Sequence, residues 1–181
     1  MSEMEIVPDI FTADYEGEPG ERIFFVQARG DEGARSFRVE KQQVTLLAEK
    51  LRELLLMIDP EDTIKSAPPE RDPSLELEPP EESEWRIGTM GLAYDEENDR
   101  VVLFAQPAGE EPDVEPEDEI EDLAGDGTGV RFLLRRDQVR AFVLHALAVV
   151  QEGRPICPLC GLPMNPSGHR CPASNGHHVM A

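Results

Sequence analysis

Long apolar runs are missing from this chain of 181 residues. None approaches the roughly 18 residues that a membrane-spanning helix needs. The opening Met1-Ser2-Glu3-Met4-Glu5 has neither the basic start nor the apolar stretch of a secretory signal, so a cytoplasmic protein is expected. Cysteine is scarce: there are three, all within the last 25 residues. In a reducing compartment an odd, closely spaced set reads as metal ligands rather than as disulfide partners. Positive charge is scarce too, with 17 Lys and Arg against 38 Asp and Glu and a formal net charge of −21. Such a surface repels nucleic acid and anionic membrane over most of its extent. There is no Gly-x-Ser-x-Gly, no His-Glu-x-x-His and no dinucleotide fingerprint. Gly125–Gly129 runs into a strand rather than a helix and lacks the Lys-Ser/Thr ending of a phosphate loop, so it is read as a turn.

What is present is unevenly spread. The chain has 16 prolines and 30% charged residues, and eight of the prolines crowd into Asp59–Glu84 and Glu110–Asp126. The first stretch has six prolines and ten carboxylates, too little apolar surface to offset its ordering entropy, and is expected to be mobile or draped over the surface. Glu110–Asp122 holds nine carboxylates in thirteen residues and lacks the spacing of an EF-hand calcium loop.

Between these stretches lies a pattern that occurs twice. Ile23–Ala28 is a short apolar run with Gly and Pro on its flanks, and Ser36–Glu40 alternates with period two after a Gly30–Gly33 turn; together they predict a hairpin. Val44, Leu47, Leu51, Leu54, Leu55 and Ile58 then fall at helical spacing until Pro60 stops the run, which predicts a helix over Lys41–Ile58. Tyr94–Gln106 echoes Tyr15–Ala28 with one residue fewer in the turn, so that Arg100–Gln106 matches Arg22–Ala28 at an offset of 78. Gly129–Val139 echoes the second strand and helix entry at an offset of 95, with Val139, Phe142, Val143, Ala146, Leu147 and Val150 on one stripe. The two offsets differ by the 17 residues of the acidic insertion. The expected fold is α+β: two similar strand-strand-helix units, each with a possible leading strand (Ile6–Tyr15 and Trp85–Tyr94), forming an antiparallel sheet covered by two helices. The expected boundaries are 1–58 for the first unit, 59–84 for the linker, 85–153 for the second unit with its insertion at 110–126, and 154–181 for a small tail.

The tail carries the chemistry. Cys157-Pro158-Leu159-Cys160-Gly161 has the two-residue spacing that lets two thiolates meet one tetrahedral ion, and a glycine after the second cysteine permits the left-handed turn. Cys171 supplies a third ligand. His169 is preferred as the fourth because it shares the short second segment with Cys171; His177 is the rival. A closed Cys3His set has no position for a substrate water, so the expected ion is a structural Zn2+. His145 lies opposite the main stripe of the second helix and reads as a packed or surface histidine, while Trp85 and Tyr94 are given core or edge roles.

Gly17-Glu18-Pro19-Gly20-x-Arg22, Glu40-Lys41-Gln42-Gln43-Val44 and the Cys-Pro-Leu-Cys-Gly … Gly-His-x-Cys-Pro … Asn-Gly tail together resemble an uncharacterised bacterial family. That family is met chiefly in actinobacteria, as a domain of unknown function with a zinc-ribbon-like tail. The resemblance implies no activity. The favoured role is an interaction or adaptor protein with a protein partner. The alternatives are an enzyme acting on an anionic metabolite in a cleft between the repeats, or a nucleic-acid module. The latter would use Arg131, Arg135, Arg136, Arg140, Arg154 and Arg170, since residues 129–181 carry +4 against −25 elsewhere. The plainer role for these arginines is to neutralise neighbouring carboxylates.

Overall fold

The computed structural model describes residues 4–18, 20–80, 82–109, 129–152, 157–162 and 171–174. Among them the chain is mixed α+β: β1 (Met4–Ile6), β2 (Ile10–Glu16), β3 (Ile23–Gly30), β4 (Gly33–Val39), α1 (Lys41–Ile58), β5 (Ser83–Asp95), β6 (Arg100–Pro107), β7 (Val130–Leu134) and α2 (Arg136–Gln151). The strands form one seven-stranded sheet in the order β1-β7-β6-β5-β4-β3-β2. Helix α1 keeps the predicted bounds, with Val44, Leu47, Ala48, Leu51 and Leu55 buried along one side. The β3–β4 hairpin closes at Gly30 opposite Gly33, whose φ of +105° is open to glycine and costly to other residues.

The antiparallel sheet expected from the sequence is only partly right. β4 pairs in parallel with β5, and β1 in parallel with β7. Parallel neighbours need a long crossover, and α1 with residues 59–82 supplies one between β4 and β5. The leading strand expected at Ile6–Tyr15 is also split in two. Pro8 has no N–H to give to a ladder, and the chain leaves β7 at Ile6 to join β3 at Ile10.

That split has a large geometric effect. β1 and β2 stand at opposite ends of the strand order, yet only Val7, Pro8 and Asp9 separate them. Four Cα steps cover at most about 14 Å, whereas the edge strands of a flat seven-stranded sheet lie roughly 29 Å apart. The sheet therefore curls until its ends nearly meet. Its inner face is filled across the seam: the Phe11 ring of β2 lies 5.2 Å from Phe132 of β7 and 4.9 Å from Phe142 of α2, and Phe132 lies 5.6 Å from Phe37 of β4.

Two glutamines hold this shape. Gln43 accepts the Glu40 N–H at the start of α1 and donates from Nε2 to the carbonyls of Ile87 and Gly88, both at 3.1 Å. Gln138 accepts the Arg135 N–H at the start of α2 and donates to the carbonyls of Pro8 at 2.7 Å and Asp9 at 2.9 Å. Each helix entry is thus capped by a side chain that also grips the strand entering beside it.

Residues 59–80, expected to bury little, are anchored as a strap over the outside of β2, β3 and α2. Ile64 and Leu75 are buried, but most of the anchors are polar. Thr12 donates to the Leu75 carbonyl, Gln27 exchanges two hydrogen bonds with the Glu78 backbone, and Arg29 donates to the Ser74 carbonyl. Asp62 receives two bonds from Arg140, at 2.9 and 2.6 Å. Side-chain bonding by Arg140 holds the Asp62 carboxyl below its ordinary range, against the opposing effect of burial and with help from the Ile64 N–H.

Replacing Phe132, which is fully buried, by Ala should cost about 3–5 kcal/mol in urea denaturation; a loss under about 1 kcal/mol would contradict the closed core. Arg140→Met should cost about 2 kcal/mol near neutral pH, below the value for a deep ion pair because Arg140 is one-third exposed. A depressed carboxyl stabilises the fold above its unfolded pKa. The difference between wild type and Arg140→Met should therefore persist above the ordinary value of 3.8 and vanish as pH falls through the lower folded value.

Candidate metal centre

Helix α2 ends at Gln151, and six residues later the chain makes a tight turn. Gly161 N–H donates to the Cys157 carbonyl and Cys157 N–H to the Leu162 carbonyl, both at 2.9 Å, so the turn is closed by backbone bonds on both sides. Gly161 has φ +71°, the left-handed conformation anticipated for a glycine after the second cysteine. The turn leaves N–H groups of Leu159 and Cys160 directed at the Cys157 sulfur. These backbone bonds, opposed by burial and helped by bonds from Cys160 and Cys171, lower the Cys157 thiol from 9.0 to about 6. Cys160 moves the other way. A bond from the Leu162 N–H favours its thiolate, but burial, the bonds to Cys171 and Cys157 and the charge on Cys157 together outweigh it.

Cys171 arrives from the distant second segment. Its sulfur is 3.8 Å from that of Cys157, and the sulfurs of Cys157, Cys160 and Cys171 all lie within 4.8 Å of one another. Two thiolates at about 2.3 Å from one tetrahedral ion sit roughly 3.8 Å apart. The three cysteines are thus positioned to hold a metal ion. His169 and His177, the two candidates for a fourth ligand, lie outside the described residues, as do Arg154, Arg170 and the insertion at 110–126.

Residues 6–171 match the model of a family described as "Protein of unknown function (DUF3090)". The chain belongs to this family. The DUF3090 match runs from β1 through Cys171 and so takes in both helices and all three cysteines. No curated protein and no solved structure matches the chain.

The remaining sequence candidates take ordinary places. Trp85 packs edge-on against Phe37 at 4.8 Å, and the Tyr94 hydroxyl bonds Asp99 at 2.7 Å. The four described arginines of the C-terminal set are each beside a carboxylate: Arg131 by Glu5, Arg135 by Asp137, Arg136 by Asp99 and Arg140 by Asp62. Among the described residues no helix is long and apolar enough to cross a membrane.

One cluster was missed in the sequence. His145, read as a packed or surface histidine, is packed: it is fully buried, and its Nε2 lies 3.1 Å from Asp14 Oδ2. Asp14 in turn bonds Arg71 at 2.8 Å, and Arg71 reaches Glu152 at 2.8 Å. A carboxylate within the apolar run of β2 was the available signal, but its partners stand 57 and 131 residues away.

In the metal-free chain, thiolate absorbance should rise in a first step near pH 6, and that step should be absent from Cys157→Ser. The sign follows from the lowered value: Cys157 is the thiolate above about 6 and the thiol below it. A first step at the ordinary value of 9.0 would contradict the turn geometry.

Proposed function

We propose that this chain is a cytoplasmic zinc-binding interaction or adaptor protein, with a zinc-ribbon-like tail folded around one structural Zn2+. The ion would be held by Cys157, Cys160, Cys171 and His169, with His177 as the alternative fourth ligand. The observation that carries this reading is the convergence of three sulfurs at thiolate-pair spacing from a knuckle whose N–H groups already favour a thiolate. A Cys3His set would close the ion to substrate and leave it a structural role, that of stapling a segment too small to fold on apolar burial alone. Leu159 and Leu162 stand 72% and 48% exposed beside Cys160, which leaves apolar surface on the knuckle for a protein partner.

The body that carries this tail is, in the same proposal, an internal duplication. Its support is the pairing of functions across the two units. Gln43 grips Ile87 and Gly88 while Gln138 grips Pro8 and Asp9, positions that differ by 79 in the strands. The helix caps Glu40 and Arg135 differ by 95. A nucleic-acid contact face is disfavoured, because the described arginines that would form it spend their charge on neighbouring carboxylates.

Elemental analysis of protein purified without added metal, on wild type, His169→Ala and His177→Ala, tests the site. One zinc per chain, weakened in only one histidine variant, is expected. A chain without zinc and with three titratable thiols would overturn it. For the adaptor role, zinc-loaded wild type should retain a partner from native lysate that Cys171→Ser does not; equal capture by both would count against it.

A further inference from the structure

The strap and the buried histidine meet in a way that the proposed zinc role does not use. His145 sits on α2 with both ring nitrogens engaged. The Asp72 backbone N–H donates to Nδ1 at 3.0 Å, and an N–H can donate only to an unprotonated nitrogen. Nδ1 is therefore the acceptor and the ring proton is on Nε2, which donates to Asp14 Oδ2 at 3.1 Å. The neutral Nε2–H tautomer is the one form of the ring that satisfies both neighbours. A second proton on Nδ1 would face the Asp72 N–H donor to donor.

The charged groups around the ring come from three elements. Asp14 on β2 is 3% exposed at its side chain and is shared with Arg71 of the strap. Arg71 also reaches Glu76 within the strap and Glu152 at the end of α2, and Glu152 accepts from the Tyr15 hydroxyl. The Asp72 carboxylate is occupied by Ser74, through its hydroxyl at 2.7 Å and its N–H at 2.9 Å. An imidazolium here keeps its attraction to Asp14 and Asp72 but cannot keep the Asp72 amide. Protonation thus strengthens the contact between α2 and β2 and breaks the contact between α2 and the strap.

The strap has few other backbone bonds to α2. Besides the Asp72 N–H, the Glu70 N–H donates to the Leu144 carbonyl at 3.2 Å. The polar trio under the strap is also confined to this side of the body. At the matching places in the other unit stand Gly91 for Thr12, Ala93 for Asp14, and Lys50, exposed and paired with Glu53, for His145.

We propose that His145 is a proton-operated latch: in its neutral form it holds the strap at Asp72 against α2, and protonation releases the Glu70–Asp72 segment while Arg71 stays bound to Asp14. The device makes the strap's contact with α2 conditional on pH, with its anchors on Thr12, Gln27 and Arg29 and the helix-to-sheet contact left in place.

The test is an NMR pH titration of the intact wild-type chain, begun above neutral pH and carried down as far as the chain stays folded. Imidazole 15N shifts report the tautomer and protonation of His145, and amide exchange normalised for its intrinsic pH dependence reports Asp72, Glu70 and, as a body control, Val44. At high pH the shifts should identify the Nε2–H tautomer. Protection at Asp72 should fall about tenfold, the weight of one hydrogen bond, with the same midpoint as the imidazole, and Val44 should not change. In His145→Asn, whose side-chain oxygen can accept at the Nδ1 position without titrating, Asp72 protection should be flat with pH. An Nδ1–H tautomer, Asp72 protection that ignores the imidazole, parallel losses at Asp72 and Val44, or a pH response retained in His145→Asn would each overturn the latch. The wild-type titration decides the matter even where the variant fails to fold.

Discussion

A three-residue link between strands at opposite ends of one sheet is the constraint from which the remaining geometry follows. Val7–Asp9 must connect β1, beside β7, to β2, beside β3. The curl this imposes brings Phe11 and Phe132 from opposite ends of the strand order into contact, and places α2 where Gln138 can grip the link by two carbonyls. The hydrophobic core is a consequence of that closure as much as its cause. With the ends apart, Phe11, Phe132 and Phe142 would each lose an aromatic neighbour, and α2 would lose the strand it lies along.

A chain with a net charge of −21 also has to place its few cations economically. Among the described residues arginines serve as cross-links between segments. Arg71 reaches Asp14, Glu76 and Glu152, and Arg22 stacks on Tyr15 while donating to the Glu152 carbonyl. Planar guanidinium groups suit this work because one side chain can serve several acceptors at once. The end of α2 is thereby tied to both the strap and β2, five residues before Cys157, the first cysteine of the tail.

Local order was legible in the sequence wherever neighbours along the chain decide it. The stripe from Val44 to Ile58 and the stop at Pro60 are enough to bound α1, and the Gly30–Gly33 turn with its flanking strands is enough for the hairpin. The Cys157–Gly161 spacing was equally readable, because a metal knuckle is a local turn with a local glycine requirement. What escaped were pairings between distant segments. Ile6 beside Phe132, Ser36 beside Ser83, Asp62 on Arg140 and Asp72 on His145 have no signature in periodicity. The strap shows why composition misled: Pro and Glu content argued against apolar burial, and burial is indeed limited largely to Ile64 and Leu75, but hydrogen bonds to Thr12, Gln27 and Arg29 do the anchoring instead.

Body and tail therefore rest on different physics. The body closes through aromatic packing and two glutamine clamps, and the described part of the tail brings three sulfurs to where they could hold a metal ion. The measurement that separates them most directly is amide hydrogen exchange on the purified chain before and after removal of metal with a chelator. Amides of α1, β3 and β6 should keep their protection, while those of Cys157 and Gly161, whose bonds close the turn, should lose it. Unfolding of the whole chain on chelation, or a tail whose exchange does not change, would contradict the account.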